Sequence, residues 1–401
     1  MKKNKTKKWV KKRHGFIFWL LRPVVKLYSK IIFGVKIQKF CGDKKRNYFI
    51  FYNHQTSADQ FFVANILKKP IYFVATEDIF STKYLSKFLR FWFAPIPINK
   101  TDMDLSSIKT CIKVAKEGGN ICIAPEGNRT FNGTTGYIKP AIVKLVRVLK
   151  LPLMIIRIEG GYGVQPRWTD KARMGEMSAK VYKVIEFEEY SKYSDQELFE
   201  IIKEGLYVND FVNQNLYKSQ KKAECLERLI YTCPYCGFTE WESSGNLFKC
   251  KKCLTTVEYC EDKTLKCEKN DFPFKNIYEW SVYQNNYVIN TDYSKYNNSP
   301  IFTDNAKLFN VILKIGKKLI SQNSKIFLFE DKITISYEDN ILTLPFNEVE
   351  GVAVLGRNKL NVKYNGKIYQ LKGNKSFNAV KYINFYYRHN RGEKDGIFLG
   401  L

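Results

Sequence analysis

Residues 48–59, with the sequence YFIFYNHQTSAD, contain a short apolar run, then six polar or small residues, then an acid. The run Tyr48–Tyr52 has the length and aromatic content of a buried strand, whereas the residues after it favour a turn. A helix is predicted from Asp59 to Leu67. The stretch therefore predicts a strand, a turn and a helix in direct succession, which is the repeating unit of an α/β sheet.

The same alternation continues along the chain. Further strands are predicted over Ile71–Val74, Ala94–Ile98, Asn120–Ile123 and Leu153–Ile158, and further helices over Lys83–Phe91, Asp104–Glu117 and Pro140–Leu149. The capping box Ser194–Glu197 predicts one more helix, to about Tyr217. Alternating strands and helices are typical of a largely parallel sheet, and we assign this α/β domain to residues 47–218.

The sequence after residue 300 is dominated by strand patterns. A helix is predicted over residues 303–320 from five apolar residues with helical spacing: Leu308, Val311, Ile312, Ile315 and Leu319. Strands are predicted over Lys325–Glu330, Lys332–Tyr337, Ile341–Pro345, Val349–Leu355, Leu360–Tyr364 and Ile368–Leu371, and a last helix over Phe377–His389. We therefore expect a β-rich C-terminal domain closed by a helix over residues 300–392. Its pattern resembles that of pleckstrin-homology-like modules.

Four cysteines between these two parts have the spacing of a metal site. Two Cys-x-x-Cys pairs are separated by thirteen residues: Cys233, Cys236, Cys250 and Cys253. Two such knuckles can place four thiolates tetrahedrally around Zn²⁺. Because four thiolates fill every position, the zinc would be structural and not catalytic. The pattern predicts a small zinc ribbon over residues 228–262, and the alternative is four unrelated cysteines.

The N-terminal segment 1–46 is strongly basic, with sixteen Lys and Arg against one acid. Its apolar runs are too short for a spanning helix or a signal peptide. A helix lying in the membrane interface fits better, with its apolar face formed by Phe16, Trp19, Leu20, Val24, Leu27, Ile31 and Ile32. We predict amphipathic helices that dock on an anionic membrane surface. The alternative is a packed surface helix behind a basic tail.

His54 follows an apolar strand and has an acid close by in the sequence. The five-residue spacing lets the chain turn, so that Asp59, in the first turn of a helix, can contact one imidazole nitrogen. That contact would fix the tautomer and raise the basicity of the other nitrogen, as a general base requires. The alternative is a plain helix start, with Thr56 or Ser57 as the cap and Asp59 favouring the helix N-terminus.

A second polar segment, Ala124–Thr130, follows the strand predicted at residues 120–123. Gly127 permits unusual backbone angles and close approach of a ligand. Arg129 can bind a phosphate through two parallel hydrogen bonds, and Glu126 can orient Arg129 or bind a hydroxyl. Taken alone, the segment is a loop with a surface ion pair.

Together the two segments resemble motifs of the glycerophosphate/lysophospholipid acyltransferase family. Asn53, His54 and Asp59 match its first motif, which is Asn-His, four variable residues and Asp. The segment Pro125–Gly127 and Arg129 match its third motif, Phe-Pro-Glu-Gly-Thr-Arg-Ser. The departures in the third motif are Ala124, Asn128 and Thr130.

The remaining two motifs of the family match less closely. The second motif, usually Gly-x-Ile-Pro-Val-Asp-Arg, is here Ala94–Lys100, in which Lys100 keeps the charge of the arginine but loses its fork geometry. The fourth motif, an apolar run with proline, matches residues 151–156. The four motifs occur in the same order as in the family, and the resemblance covers about residues 45–220, half of the chain.

The resemblance implies an activity and a mechanism. A fatty acyl group would pass from a thioester of acyl carrier protein or coenzyme A to the free hydroxyl of lysophosphatidic acid or a related lysophospholipid, in phospholipid biosynthesis. His54 would take the hydroxyl proton, and Asp59 would support the imidazolium. The phosphate and headgroup of the acceptor would be held by Lys100, Glu126, Gly127 and Arg129.

The net charge of +27 is typical of a protein that binds a polyanion, and the alternative is a lysine-rich surface that is merely solvated. With the zinc ribbon it prompts a second hypothesis, a nucleic-acid-binding protein, but this leaves His54 and Arg129 unexplained, so no nucleic acid is expected. A third hypothesis is a membrane adaptor with a degenerate acyltransferase domain, which the retention of His54 and Asp59 disfavours. Ten cysteines without a signal peptide favour a peripheral protein at the cytoplasmic face of the cell membrane.

Overall fold

The structure, a computed structural model, describes residues 8–43, 45–76, 83–98, 105–269, 271–312 and 316–391. A seven-stranded sheet forms the first half of the described chain. Its strands are β1 (Val35–Ile37), β2 (Phe49–Tyr52), β3 (Ile71–Thr76), β4 (Ile96–Ile98), β5 (Asn120–Ile123), β6 (Leu153–Glu159) and β7 (Met177–Ile185). Their order is β1-β7-β6-β2-β5-β3-β4, and only the β6–β7 pair is antiparallel. The prediction of a largely parallel sheet is confirmed.

The sheet begins earlier in the chain than residue 47. β1 pairs in parallel with β7, with Val35 opposite Met177. Part of the segment 1–46, which we assigned to membrane docking, is therefore an edge strand of the α/β domain. A strand of three residues has too short an apolar pattern to be recognised from its period.

Eight helices accompany this sheet within the described residues. They are α1 (Lys12–Phe33), α2 (Asp59–Ile66), α3 (Lys83–Trp92), α4 (Leu105–Lys116), α5 (Ile142–Leu149), α6 (Gly161–Val164), α7 (Phe187–Tyr190) and α8 (Asp195–Leu206). The predicted capping box of α8 is present, with the Ser194 side chain accepting from the Glu197 amide. However, α8 ends at Leu206 and not near Tyr217, because the chain turns there to pair with Thr135, whose amide donates to Val208 O.

Alternate side chains of β2 enter two different cores. Phe49 and Phe51 pack with residues of α4, α5 and α8 on one face of the sheet. Ile50 and Tyr52 pack with residues of α1 and α2 on the other face. All four side chains are buried, as expected for a central strand of a parallel sheet covered on both faces. β2 is the fourth of the seven strands in the sheet, so its carboxyl end lies at the middle of one edge of the sheet.

Helix α1 packs on the domain along one stripe and leaves the rest of its surface exposed. His14, Ile17, Ser29 and Phe33 are buried. The seven apolar side chains predicted for the membrane-facing surface are 47 to 72% exposed: Phe16, Trp19, Leu20, Val24, Leu27, Ile31 and Ile32. Within residues 8–43 this segment forms one helix and not several, with Pro23 inside it. No helix in the described ranges is both long enough and apolar enough to cross a membrane.

The cysteine-rich segment forms short antiparallel strands. These are β8 (Thr232–Cys233), β9 (Gly237–Phe238), β10 (Trp241–Ser244), β11 (Leu247–Cys250), β12 (Thr256–Tyr259) and β13 (Leu265–Cys267). β8 pairs with β9, and β10 to β13 form a four-stranded sheet that extends past residue 262. A helix that the sequence analysis did not predict, α9 (Ile277–Asn290), follows, and the Asn276 side chain caps it by accepting from the Glu279 amide.

The C-terminal part is an antiparallel sheet followed by a helix. Its strands are β14 (Phe302–Ile312), β15 (Gly316–Leu328), β16 (Lys332–Tyr337), β17 (Asn340–Pro345), β18 (Val349–Leu355), β19 (Lys359–Tyr364) and β20 (Lys367–Gly373), and the helix is α10 (Val380–Arg391). The strand order is β17-β16-β15-β14-β20-β19-β18. The prediction of a β-rich domain closed by a helix is compatible with this arrangement.

The helix predicted over residues 303–320 was wrong, because β14 and β15 cover most of that range. Two register shifts interrupt the β14–β15 pairing, around Leu308. They break the two-residue alternation, so that the buried positions of β14 within the predicted helix range are Ala306, Leu308 and Val311. This spacing imitates one face of a helix. Of the five residues on which the prediction rested, Ile315 lies outside the described residues.

The second half of the chain shares one hydrophobic core. Side chains from the cysteine-rich strands, α9, the C-terminal sheet and α10 belong to a continuous cluster. Phe131 and Trp168 of the α/β domain belong to the same cluster. The cysteine-rich segment, predicted as a small zinc ribbon, therefore shares its core with the C-terminal sheet and with part of the α/β domain.

Candidate active site

His54 and Asp59 lie at the carboxyl end of β2, where the chain turns into α2. The Nδ1 atom of His54 is 2.7 Å from Oδ2 of Asp59. Asp59 is fully buried, whereas the His54 side chain is 22% exposed. Because Nδ1 is bonded to the carboxylate, Nε2 is the imidazole nitrogen that can accept a proton.

The buried carboxylate of Asp59 is held by more than the imidazole. Its oxygens accept from the amides of Gln55, at 2.7 Å, and Thr56, at 3.0 Å, and from the Thr56 hydroxyl at 2.6 Å. The N-cap residue of α2 is Ala58, which makes no side-chain cap. Thr56 thus bonds to Asp59 and does not cap the helix, and the carboxylate has a fixed position facing the imidazole.

Glu126 joins the two polar segments that the sequence analysis singled out. Its Oε1 accepts from the His54 amide at 2.7 Å, and its Oε2 accepts from the Gly136 amide at 2.6 Å. The amide of Thr130 donates in return to His54 O at 2.9 Å. Burial raises the pKa of Glu126 to about 8, against the two amides that lower it. Glu126 therefore connects the two segments from a buried position, and it forms no surface ion pair with Arg129.

Asn53 fixes the end of β2 against the neighbouring strand. Its Nδ2 donates to Ile158 O at 2.8 Å, and its Oδ1 accepts from the Ile158 amide at 2.7 Å. The next polar residue, Gln55, accepts from the Gly161 amide at 2.8 Å. The side-chain amides of Asn53 and Gln55 thus hold the backbone on both sides of His54. Asn53 matched a motif in the sequence, but the motif gave it no role.

Arg129 lies in the loop braced by Glu126. Its Nη1 atom is buried and has no hydrogen-bond partner among the described residues. Burial is the main cause that lowers the pKa of Arg129 to about 10, while the carboxylate of Asp59 acts in the opposite direction. Gly127 has a φ of +69°, and a Cβ there would meet no atom within 4 Å. The loop therefore offers a cationic donor beside an open backbone position.

Arg167 also bonds to this loop, although no motif or spacing in the sequence indicated it. The guanidinium of Arg167 is buried and donates to Arg129 O at 3.0 Å. An isolated arginine in a loop has no spacing that would reveal such a contact. Lys100, which we predicted to bind the acceptor, lies outside the described residues.

The four predicted metal ligands converge. The sulfur atoms of Cys233, Cys236, Cys250 and Cys253 all lie within 4.8 Å of one another. Two pairs, Cys233–Cys253 and Cys236–Cys250, have their sulfurs 3.6 Å apart. A tetrahedral zinc with Zn–S bonds of about 2.3 Å requires sulfurs roughly 3.8 Å apart. The cluster therefore fits a zinc ion, and its four thiols leave no ligand position for water or substrate.

Comparisons with known proteins agree with the first half of this description. Residues 10–159 match the family model described as Acyltransferase. Over 95 residues the chain is 33% identical to a 1-acyl-sn-glycerol-3-phosphate acyltransferase of Bacillus subtilis, covering 24% of this chain and 46% of that protein. The chain thus spans about half the length of this curated relative.

One solved structure is also similar. It is that of the 1-acyl-sn-glycerophosphate (LPA) acyltransferase PlsC from Thermotoga maritima, with a TM-score of 0.40, 18% identity, and coverage of 48% of this chain and 77% of that chain. The family match includes α1, the sheet from β1 to β6, the His54–Asp59 pair and the Glu126–Arg129 loop. The resemblance predicted from the motifs is confirmed: residues 10–159 of this chain match the acyltransferase family model.

Proposed function

We propose that the chain is an O-acyltransferase of phospholipid biosynthesis. It transfers a fatty acyl group from an acyl thioester to the free hydroxyl of lysophosphatidic acid or a related lysophospholipid. The observation that carries the proposal is the 2.7 Å contact between His54 Nδ1 and the buried carboxylate of Asp59, next to the loop of Arg129. A partly exposed imidazole with such a partner is equipped to act as a general base.

The mechanism uses the His54–Asp59 pair throughout. Nε2 of His54 accepts the proton of the acceptor hydroxyl while the oxygen attacks the thioester carbonyl, and Asp59 stabilises the imidazolium. When the tetrahedral intermediate collapses, the C–S bond breaks and the thiolate takes the proton from His54. The acyl group passes directly to the acceptor oxygen, so no acyl-enzyme forms.

The acceptor is held through its anionic headgroup. The guanidinium of Arg129 has a buried N–H with no partner among the described residues, and a phosphate oxygen would satisfy it. Gly127 lets the headgroup approach the backbone. Glu126 holds this loop against His54, so that the hydroxyl of a bound acceptor lies near the base. Lys100 is assigned to the same headgroup.

The acyl donor is a thioester of acyl carrier protein or of coenzyme A. Both supply the same carbonyl and the same thiolate leaving group, and the proposed chemistry does not distinguish them. The zinc ion, bound by Cys233, Cys236, Cys250 and Cys253, stabilises the fold of its segment and takes no part in the reaction.

The enzyme works at a membrane surface, where both its acceptor and its product reside. Helix α1 presents a row of exposed apolar side chains that includes Trp19 and Ile31, at 72% and 68% exposure. Exposed lysines such as Lys26 and Lys30 lie on the same helix. This composition suits a helix inserted into an anionic interface. We place the protein peripherally at the cytoplasmic face of the cell membrane, where its ten cysteines stay reduced.

The test is acyl transfer by the purified full chain, measured as phosphatidic acid by mass spectrometry. Reactions contain lysophosphatidic acid and either an acyl-ACP or an acyl-coenzyme A. Wild-type protein should form product, and His54→Ala should reduce the rate by about 10²–10⁴-fold, the usual contribution of a general base. His389→Ala, which changes a histidine of the C-terminal helix, is the matched control and should keep full activity. Full activity of His54→Ala would refute the mechanism.

A further inference from the structure

Arg167 is a buried cation that the proposed mechanism leaves without a role. Its guanidinium donates to three main-chain carbonyls, at Arg129 (3.0 Å), Val354 (3.0 Å) and Gly356 (3.1 Å). It also lies 4.0 Å above the ring of Phe131. Within the described residues no carboxylate forms an ion pair with it. One side chain thus ties the loop of the candidate anion site to the C-terminal domain.

The hydrogen bonds of Arg167 place the turn between β18 and β19 beside the Arg129 loop. Strands β18 and β19 are joined by residues 356–358, and Gly356, with a φ of +66°, begins the turn. Because Arg167 holds the carbonyls of both Arg129 and Gly356, the next residue, Arg357, lies close to the Arg129 loop. The Arg357 side chain is 30% exposed, so it is open to a ligand.

Arg357 has a carboxylate partner that can release it. Its Nη1 is 3.2 Å from Oδ1 of Asp170. The same carboxylate already accepts from the nearly buried Arg228 at 2.7 and 3.3 Å, and it lies 3.8 Å from Nζ of Lys375. If Arg357 turned towards a ligand, Asp170 would keep Arg228 and Lys375 as partners, so no acid would be left unpaired.

The local charges do not balance. Arg129, Arg167 and Arg357 bring three guanidinium groups together, and among the described residues only Arg357 has an ion pair, with an acid that two other cations share. The buried Nη1 of Arg129 lacks an acceptor. Buried cations without a counterion are costly, and a bound anion would remove that cost. Adjacent guanidinium groups are well suited to a phosphate with several free oxygens.

We propose that Arg357, supplied by the C-terminal domain, completes with Arg129 the site that binds the phosphomonoester group of the acceptor. Arg167 is the positioning residue that holds the two arginines at the required separation. The inference rests on the proposed function and deepens it, because it makes the C-terminal domain a determinant of acceptor specificity. A phosphomonoester carries up to two charges and three free oxygens, which suit two guanidinium groups, whereas a phosphodiester headgroup offers one charge and two oxygens.

The first measurement is steady-state kinetics on the full chain. Arg357→Gln, Arg129→Gln and Lys363→Gln are compared with wild type while lysophosphatidic acid and the acyl donor are varied separately. Lys363 is the matched control, since it is a cation on β19 of the same hairpin that pairs with Glu350. Arg357→Gln should raise the KM for lysophosphatidic acid about tenfold, the scale of one lost charge-assisted hydrogen bond, and leave the donor KM unchanged. Lys363→Gln should change neither.

The second measurement detects the anion site without turnover. Inorganic phosphate should raise the Tm of wild type and of Lys363→Gln, and should have a clearly smaller effect on Arg357→Gln and Arg129→Gln. If phosphate stabilises as described while wild type has no activity, the anion site stands and the proposed function fails. A phosphate effect with an unchanged KM for lysophosphatidic acid would show a site for free phosphate and overturn the assignment to the acceptor.

Other outcomes would also overturn the proposal. A KM for lysophosphatidic acid raised only in Arg129→Gln would exclude Arg357 from the site while leaving the proposed function intact. A raised donor KM in Arg357→Gln would assign the guanidinium to the thioester carrier. Arg167 bonds the three carbonyls through three separate nitrogens, and the single nitrogen of Arg167→Lys cannot span them, so this variant should raise the acceptor KM more than it lowers kcat. A uniform loss of kcat that follows a lower Tm would mean that Arg167 serves only the fold.

Discussion

The buried carboxylate of Asp59 has several hydrogen-bond donors at the candidate active site. It is fully buried, yet it accepts from two amides and a hydroxyl in addition to the imidazole. Such a carboxylate is stabilised as an anion by its donors. An anion facing Nδ1 of His54 stabilises the imidazolium that forms when Nε2 takes a proton. In the proposed mechanism, Asp59 orients the base and supplies its counter-charge.

We expect Asp59→Asn to lower kcat by about 10²–10⁴-fold, because the neutral amide gives the imidazolium no counter-charge and can select the wrong tautomer. The acceptor KM should change little. Steady-state kinetics checks both parameters, with Asp43→Asn, which changes an exposed acid between β1 and β2, as the control. Wild-type kcat in Asp59→Asn would remove the carboxylate from the mechanism.

Glu126 makes stability depend on pH. Burial raises its pKa to about 8 in the folded protein, above the ordinary value of 4.5. Between these values the folded state binds the extra proton, so this group's contribution to stability is complete below pH 4.5 and is lost as the pH rises towards 8. Above pH 8 a buried charge remains in the folded state.

The free energy of unfolding of wild type should therefore fall with rising pH relative to that of Glu126→Gln, by at most about 1.4 kcal/mol per pH unit from this group. Urea unfolding at several pH values between 5 and 9 measures the difference between the two proteins. The half-buried Glu186, whose side chain is 42% exposed, provides the control substitution Glu186→Gln, which should leave the pH dependence of wild type unchanged. Parallel curves for wild type and Glu126→Gln would contradict the buried, protonated state.

At the scale of elements, α1 has a buried stripe and an exposed apolar face, which the sequence alone did not separate. Its buried stripe, which includes Ile17 and Phe33, anchors it to the α/β domain. The Trp9 and Val10 amides just before it both donate to Glu117 Oε2. Deleting the N-terminal segment would therefore remove β1 and part of the core together with the exposed face. Substitution of exposed side chains alone is the cleaner test of membrane docking.

We expect Trp19→Ser, Val24→Ser and Ile31→Ser together to weaken binding to anionic vesicles and to leave the Tm unchanged. These side chains are 72%, 63% and 68% exposed, so they contribute little to the core. Each would contribute about 1.5–3 kcal/mol to insertion if it were fully buried in lipid. Vesicle flotation at low and high salt is the measurement.

The matched control for α1 removes equally exposed apolar side chains elsewhere. Met174, Val212 and Ile341 are 76%, 77% and 74% exposed. Their combined replacement by Ser should leave flotation unchanged. Equal loss of binding in both triple variants would mean that the docking surface is not localised on α1.

At the scale of the whole molecule, the shared core couples parts that look independent in the sequence. Trp241 and Phe248 of the cysteine-rich segment stack on each other and contact Trp280 of α9. The same cluster continues into the C-terminal sheet and includes Trp168 of the α/β domain. Loss of order in the cysteine-rich segment should therefore spread to its neighbours.

We expect one zinc per chain, and we expect its removal to lower the Tm of the second half of the molecule and to reduce turnover. Zinc would supply folding energy to the segment that holds its four ligands, and disorder of the C-terminal domain would reach the Arg129 loop through Arg167. Metal analysis, thermal unfolding and activity are measured for Cys236→Ser/Cys253→Ser. A folded second half and full turnover without zinc would contradict this coupling.

The control for the metal site uses two cysteines of the same segment that lie outside the cluster. Cys260→Ser/Cys267→Ser should keep one zinc per chain, the wild-type Tm and wild-type turnover. Loss of zinc from this control would mean that the ligand set differs from the four predicted residues.

The sequence by itself determined the features that depend on neighbouring residues. The succession of strand, turn and helix at residues 48–67 follows from local apolar patterns and turn residues, and the structure has β2 and α2 there. The spacing from His54 to Asp59 is equally local, so their contact could be foreseen. The convergence of four cysteines could be foreseen as well, because paired Cys-x-x-Cys motifs serve little other purpose.

Only the tertiary structure decided the contacts between distant parts of the chain. The bond from His54 to Glu126 spans 72 residues, and that from Arg167 to Val354 spans 187. The strand state of β14 depends on its partners β15 and β20, since its own bulged pattern imitates a helix. Periodicity and spacing describe what one segment can bury. Which segments meet depends on the packing of complete sheets and helices, and that packing brings Arg357 of the C-terminal domain to the candidate active site.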